Sequence, residues 1–197
     1  MLHPTRTGDI PRFIYINGFP GVGKLTVAQE LQKLIPRSRI FHNHLLIDPV
    51  TAIIDRDSPE YHEVRASVRQ HLLSIIATSE ATKGITWIFT DSRSSEPIGI
   101  SGARDYKLAA EQRGADFIPV VLTCSLEENI SRVISEARRS TAKLIDSRFV
   151  QQIRQQEVIH SFGGQELELE LNVTRVSASE AALSIFQHVN KFNSTFS

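Results

Sequence analysis

The apolar run Phe13-Ile14-Tyr15-Ile16-Asn17 passes directly into Gly18-Phe19-Pro20-Gly21-Val22-Gly23-Lys24-Leu25-Thr26, and that run opens into a helical pattern from Val27 to Ile35. A strand, a glycine-rich turn, a lysine and a helix in immediate succession make the layout of a phosphate-cradling P-loop. The glycines let successive backbone N–H groups converge on phosphate oxygens with no Cβ in the way. The helix N-terminus adds its dipole and its unpaired N–H donors. Lys24 supplies a flexible point charge for the outer phosphates. Gly18, Pro20, Gly21, Val22, Gly23, Lys24, Leu25 and Thr26 are therefore the candidate nucleotide-binding residues.

The rest of the chain alternates in the same way. Strand-like runs occur at Phe13–Asn17, Arg39–Asn43, Ile85–Thr90, Phe117–Cys124 and Leu167–Val173. Helical patterns separate them: Val27–Ile35, ended by Pro36; Tyr61–Thr82, with Val64, Val68, Leu72, Ile75 and Ile76 in register and Gly84 as a left-handed cap; and Ala103–Arg113, closed by Gly114. Ser125–Glu128 reads as a capping box starting a helix toward Arg138, and Ser177–Glu180 as a second one opening Ala181–Asn190. Such alternation predicts an α/β fold with a parallel sheet covered on both faces. Leu167–Val173 alternates apolar and acidic residues, as an edge strand with one wetter face would. No repeat or linker divides the 197 residues, so residues 1–197 read as one domain with a polar extension over 1–11.

Charge and cysteine content narrow the function classes. Lysine plus arginine equals aspartate plus glutamate, 22 each, which argues against a general nucleic-acid binder. The single cysteine, Cys124, cannot form an internal disulfide, so a reducing cytoplasm is the expected compartment and a buried packing role the expected place. Met1–Ile10 lacks the apolar stretch of a secretory signal, and no run of about 18 apolar residues predicts a membrane span.

The form G-x-P-G-x-G-K-x-T over residues 18–26 resembles that of adenylate kinases and their relatives. The commoner motif places a hydroxyl directly after the lysine; here that slot is Leu25 and Thr26 follows. The resemblance implies that Thr26 contacts phosphate and that Mg²⁺ is held mostly through waters, which Mg²⁺ tolerates because it dehydrates reluctantly. By order of elements, the whole chain looks like a small P-loop kinase of the nucleoside monophosphate kinase type, with shikimate kinases, gluconate kinases and chloramphenicol phosphotransferases as small-molecule relatives. That likeness implies a three-layer fold, a sheet of order 2-3-1-4-5, a mobile arginine-bearing lid after strand four, at about residues 132–149, and transfer of the γ-phosphoryl group of ATP to a small acceptor.

Ligands in such sheets gather at the carboxyl ends of the strands. Asp91 closes the third run and resembles the family's second acidic motif, which orients Mg²⁺ through water or takes the acceptor proton; it could simply cap a turn with Ser92, but its position beside the P-loop favours the functional role. Arg93 resembles the acceptor-binding arginine of adenylate kinases, although Asp91-Ser92-Arg93 matches only part of their Asp-Gly-x-Pro-Arg pattern. After strand two, where relatives place an acceptor-binding or basic aspartate, the chain has His42, Asn43 and His44, with Asp48 a turn later. A neutral imidazole can take a hydroxyl proton. Either histidine could instead be a packed structural residue, and Asp48 could cap a helix beginning at Pro49. In the expected lid, Arg132, Arg138, Arg139, Lys143 and Arg148 offer charge to the transferring group, with Arg138 and Arg139 the leading catalytic candidates beside Lys24 and Asp91. Relatives seat adenine against the segment matching Asn172–Ser177, largely through backbone.

These readings converge on an ATP- and Mg²⁺-dependent phosphotransferase with a small-molecule acceptor. A nucleoside monophosphate kinase and a nucleotide-binding switch with little turnover are the alternatives, and an RNA-end kinase is disfavoured by the neutral charge.

Overall fold

The computed structural model describes residues 11–134, 147–164 and 167–191. The elements run β1 (Arg12–Gly18), α1 (Lys24–Leu34), β2 (Ser38–His42), α2 (His44–Thr51), α3 (Tyr61–Thr78), β3 (Thr86–Thr90), α4 (Pro97–Arg113), β4 (Asp116–Thr123), α5 (Leu126–Ile134), α6 (Ser147–Gln156), β5 (Leu169–Asn172) and α7 (Ala178–Lys191). All four strand pairings are parallel and the order is β2-β3-β1-β4-β5, as expected from the sequence. β1 is the central strand. All seven of its residues are buried, because it pairs with β3 from Phe13↔Trp87 to Ile16↔Thr90 and with β4 from Arg12↔Asp116 to Gly18↔Leu122.

The two-residue period of the strands sorts side chains by chemistry. Ile14, Ile16, Ile88, Ile118, Val120 and Leu122 share one face and pack on Val27, Ala28 and Leu31 of α1 and on Ala181, Ile185 and Val189 of α7. Phe13, Tyr15, Phe41, Trp87, Phe89 and Phe117 share the other, against Leu73, Ile76 and Ala77 of α3 and Ala103, Tyr106, Ala109 and Ala110 of α4. The bulky aromatic face is matched by small residues on α4, so the helix approaches closely. Tyr106 is the exception on that helix, and its ring lies 4.8 Å from Tyr15 and 5.1 Å from Phe89.

Several boundaries differ from the sequence reading, each for a local reason. α3 stops at Thr78 rather than Thr82. Ser79 leaves helical geometry and caps a short 3₁₀ turn over Glu80–Thr82, while Arg113 donates to the carbonyls of Ile76 and Ser79. The buried stripe of α3 is also rotated from the expected one. It runs through Tyr61, Arg69, Leu73, Ile76 and Ala77, and Ile75 is exposed. Arg69 takes a core position because Asp105 pairs with it, a substitution that apolar counting discards. α4 begins six residues earlier than expected, with Pro97 in its first turn, where the missing N–H costs nothing. Asp48 does not cap a helix at Pro49. It lies inside α2, and Pro49 sits within that helix.

The two capping boxes separate. At Ser177 the box is complete: the Glu180 N–H donates to Ser177 Oγ (3.2 Å) and the Ser177 N–H to Glu180 Oε2 (2.8 Å). At Ser125 only half forms, since the Ser125 N–H donates to Thr174 Oγ1 and Glu128 turns to Arg132. Cys124 is buried, as expected. β5 alternates half-buried and exposed residues, which suits its edge position. No described helix is long and apolar enough to cross a membrane.

Gly114 ends α4 at φ 68°, ψ 35°, and a Cβ there would meet nothing within 4 Å. Gly114→Ala therefore isolates the left-handed backbone penalty. It should cost about 1 kcal/mol in urea-induced unfolding with m unchanged.

Candidate active site

The phosphate loop is shaped from below. Gly21 sits at φ 87°, and a Cβ on it would lie 2.3 Å from Val133 Cγ2 and 2.8 Å from Asn129 Nδ2. Only glycine fits that crossing of the loop over α5. Asn129, fully buried, donates to the Pro20 carbonyl (2.9 Å) and accepts from Arg154 of α6 (3.2 Å). Arg154 also donates to the Cys124 carbonyl and lies 4.9 Å over the Phe19 ring. Lys24 is the first residue of α1, and its ammonium donates back to the carbonyls of Gly18 (2.6 Å) and Phe19 (2.8 Å). It thereby spans the loop from the helix side, at the mouth where first-turn amides lack intrahelical partners.

A cavity of about 250 Å³ opens on this loop. Pro20, Gly21, Gly23, Lys24, Leu25 and Thr26 line one side; His42, Asn43, His44, Thr90 and Asp91 line the other. Residues more than sixty positions apart thus meet because β1, β2 and β3 end together: His42 pairs with Thr90, and the Asn43 N–H donates to the Thr90 carbonyl. Ile47, Arg56, Ser92 and Phe149 complete the wall.

Four sequence candidates lie elsewhere. Asp48 is exposed and reaches the cavity only through His44, whose Nδ1 is 3.2 Å from Asp48 Oδ1. Gly18 and Val22 are buried in the loop's base rather than in the cavity wall. Arg93 is buried behind Asp91 and faces a second cavity. Arg138, Arg139 and Lys143 lie outside the described residues, as does most of the expected lid; Arg148 is exposed on α6.

Asp91 is the most constrained carboxylate at the site. It is 1 % exposed. Its Oδ1 accepts from the Ser92 N–H (2.8 Å) and lies 3.8 Å from Arg65; its Oδ2 accepts from Arg93 Nε (2.6 Å) and the Tyr106 hydroxyl (3.2 Å). Burial by itself would raise the Asp91 pKa. The charges of Arg93 and Arg65, with the hydrogen bonds from Arg93 and Ser92, outweigh it and hold the carboxyl below its ordinary range. For Tyr106, burial and then the Asp91 charge push the phenol far up, so it stays a donor.

Sequence reading missed Arg65, which donates to Asn43 Oδ1 (2.9 Å) and so ties the ends of β2 and β3 to α3. Its only signal was the i, i+4 pairing of Arg65 with Arg69 beside an apolar stripe. Asn17 was missed as well. Its amide accepts from the Arg93 N–H (2.8 Å) and donates to the carbonyls of Arg93 and His160 (both 3.0 Å), joining β1 to two loops.

A third cavity, also about 250 Å³, lies behind the loop among Val22, Gly23, Thr26, Arg132, Val173 and Ser177. Arg132 is fixed there by Glu128 (2.6 Å) and by the carbonyls of Val22 (2.7 Å) and Val173 (2.6 Å).

A family profile described as an AAA domain matches residues 14–159. The chain belongs to that family. A search of curated proteins returned no match. Among solved structures, the fold is shared with the tunicamycin resistance protein of Deinococcus radiodurans at 17 % identity and TM-score 0.57, covering 91 % of this chain and 95 % of that one. It is shared with a gluconokinase of Sinorhizobium meliloti at 15 % identity and TM-score 0.58, covering 93 % and 95 %. An APS kinase of Mycobacterium tuberculosis, solved in complex with AMPPNP and APS, matches at 18 % identity and TM-score 0.59, covering 91 % and 98 %. The AAA-domain chain described here thus has the fold of P-loop small-molecule kinases.

Proposed function

We propose that this chain transfers the γ-phosphoryl group of ATP to a small-molecule acceptor. The observation that carries the reading is a single cavity with the phosphate loop on one wall and His42, Asn43, His44 and Asp91 on the other. A triphosphate held by the loop amides and Lys24 would present its outer phosphate to whatever the opposite wall holds. Phosphoryl transfer needs chiefly positioning and charge stabilisation, and this arrangement supplies both. The nucleotide base would lie in the cavity behind the loop, against the guanidinium plane of Arg132 and the segment 173–177.

Among the described residues no cluster of three or more carboxylate, histidine or cysteine groups forms a metal cage. Mg²⁺ carried on the triphosphate fits such a wall, because it keeps most of its waters and needs few protein ligands. Thr26, exposed on the first turn of α1, is the hydroxyl placed to meet those waters or a phosphate oxygen. When bound, Mg²⁺ would neutralise charge on the transferring group.

Asp91 is walled in by arginine, tyrosine and amide donors, which suits an electrostatic anchor for Arg65 and Arg93 better than a base. The base falls to the His42–His44 segment. His44 is the stronger candidate, since Asp48 sits at its Nδ1 and would leave Nε2 as the acceptor. Arg93, the residue a nucleoside monophosphate kinase would aim at its acceptor phosphate, is turned away from this cavity, which weighs against that alternative.

An acceptor screen tests the proposal. ATP consumption should rise at least tenfold over the basal rate with a hydroxylated small molecule and not with AMP, CMP or UMP. Stimulation by a nucleoside monophosphate alone would favour the nucleotide-kinase alternative. Tight ATP binding with no stimulation by any acceptor would favour a switch.

A further inference from the structure

The phosphate loop crosses α5 at Gly21, and the peptide that enters the crossing is tied down on one side only. Its carbonyl, on Pro20, accepts from the Asn129 side-chain amide at 2.9 Å, on the α5 side of the loop. No described peptide bond is cis, so the planar unit from Pro20 to Gly21 points its N–H opposite to its carbonyl. A carbonyl held toward α5 therefore turns the Gly21 N–H away from α5. Gly21 lines the transfer cavity, and its N–H makes no hydrogen bond with any described residue. It is an amide donor kept open on the side where a phosphate oxygen would lie.

Asn129 can hold that carbonyl in only one of its two amide orientations, because Nδ2 donates and Oδ1 only accepts. Arg154 of α6 selects the orientation. A guanidinium can only donate, and Arg154 Nη1 meets Asn129 Oδ1 at 3.2 Å. Arg154 is itself held at two further points. Its Nη2 donates to the Cys124 carbonyl at 2.9 Å, and its guanidinium lies 4.9 Å over the ring of Phe19, the loop residue before Pro20. Asn129 is fully buried, so bulk water does not stand in for a lost partner. With the amide turned over, Oδ1 would face the Pro20 carbonyl, two acceptors with no proton between them, and the peptide would lose its tie.

We propose that Arg154 is a positioning residue for nucleotide binding. By donating to Asn129 it fixes the sense of a chain that runs from Arg154 through Asn129 to the Pro20 carbonyl and aims the Gly21 N–H at a phosphate oxygen. The proposal rests on the reading that the loop holds a triphosphate, and it extends the binding machinery to α6. Arg154 does not line the cavity and acts only through Asn129 and Phe19.

Three variants of the full chain test this. Arg154→Met keeps an apolar stem and removes the donor. Arg154→Lys keeps one donor. Asn129→Asp keeps the shape and the Arg154 partner but puts an acceptor against the Pro20 carbonyl. Each is titrated with AMP-PNP in excess Mg²⁺, by calorimetry and by ¹H–¹⁵N correlation spectra in which the Gly21 amide is followed. In the parent protein that amide should move downfield on binding. Arg154→Met should weaken AMP-PNP about tenfold, Asn129→Asp at least as much, and Arg154→Lys no more than about threefold. The Gly21 shift should shrink in the first two and persist in the lysine variant. A thermal melt confirms that each protein is folded, and Arg154→Met decides the matter alone if the buried carboxylate of Asn129→Asp prevents folding. Parent-like affinity in folded Arg154→Met overturns the proposal and leaves the triphosphate reading standing. So does equal weakening by methionine and lysine with the Gly21 shift unchanged, which assigns Arg154 to packing alone. Absence of AMP-PNP binding by the folded parent overturns the triphosphate reading and this proposal with it.

Discussion

Lys24→Ala should lower phosphoryl transfer by about 10³-fold while leaving the fold in place. In the structure the Lys24 ammonium reaches back over the loop to the carbonyls of Gly18 and Phe19, at 2.6 and 2.8 Å. Those two bonds lie at a half-buried position on the site cavity, so their loss costs about 1 kcal/mol of stability. In transfer the same ammonium would be the only lysine on the cavity among the described residues, facing charge that builds on the outer phosphate. Removing one well-placed donor from such a site typically costs 10²–10³ in rate, and a cation does more than a neutral donor. Single-turnover transfer from radiolabelled ATP measures the loss, and a thermal melt measures the fold. Transfer within tenfold of the parent protein would remove Lys24 from the mechanism.

Arg93→Ala should be the most destabilising single change at the site, by about 3–5 kcal/mol, because it strips the closest partner from a carboxylate that is 1 % exposed. At this chain length the melting temperature should fall by roughly 10 °C. The pH dependence has a definite sign. Asp91 is held below the ordinary carboxyl range in the folded chain, so its contribution is present above the unfolded value and is lost as pH falls through the folded one. Without Arg93, burial dominates and raises the Asp91 pKa. Protonating Asp91 as pH falls then relieves its buried charge in the variant, whereas in the parent it costs the ion pair, so the stability gap between the two proteins should narrow toward acid pH. Urea titrations of both proteins between pH 4 and pH 7 read this directly. The paired change Asp91→Leu with Arg93→Met removes both charges and should recover more than half of the lost stability. A variant as stable as the parent throughout that range would mean that the pair contributes nothing to the fold.

The centre of the sheet was legible because β1, β3 and β4 are buried on both faces and end in turn signals. Phe13–Asn17 and Phe117–Cys124 read as strands for the reason that makes them central: nothing on either face is polar until the ends. Glycine 18, 21 and 23 marked the loop through a backbone requirement that leaves a direct trace in composition. The opposite wall was legible only in part. His42, Asn43 and His44 could be placed by strand order, but Asp48 could not be, since its role passes through the imidazole of His44. Arg65 and Asn17 were hidden for a deeper reason. Their partners lie between 22 and 143 positions away, at Asn43 for Arg65 and as far as His160 for Asn17. A pattern read along one helix or strand carries no information about such pairs, and a buried arginine breaks the apolar count that defines a core face. That is why the stripe of α3 was drawn a residue away from its true position. Arg138 and Arg139 lie outside the described residues.

The central claim is that the loop from Gly18 to Thr26 holds a nucleoside triphosphate. Isothermal titration of the full chain with ATP in excess Mg²⁺ tests it most directly. The account predicts one saturable site with a dissociation constant of about 1 μM to 1 mM, the usual range for such substrates, and loss of that heat in Lys24→Ala. No saturable heat for ATP or any other purine triphosphate, from folded protein, would contradict it.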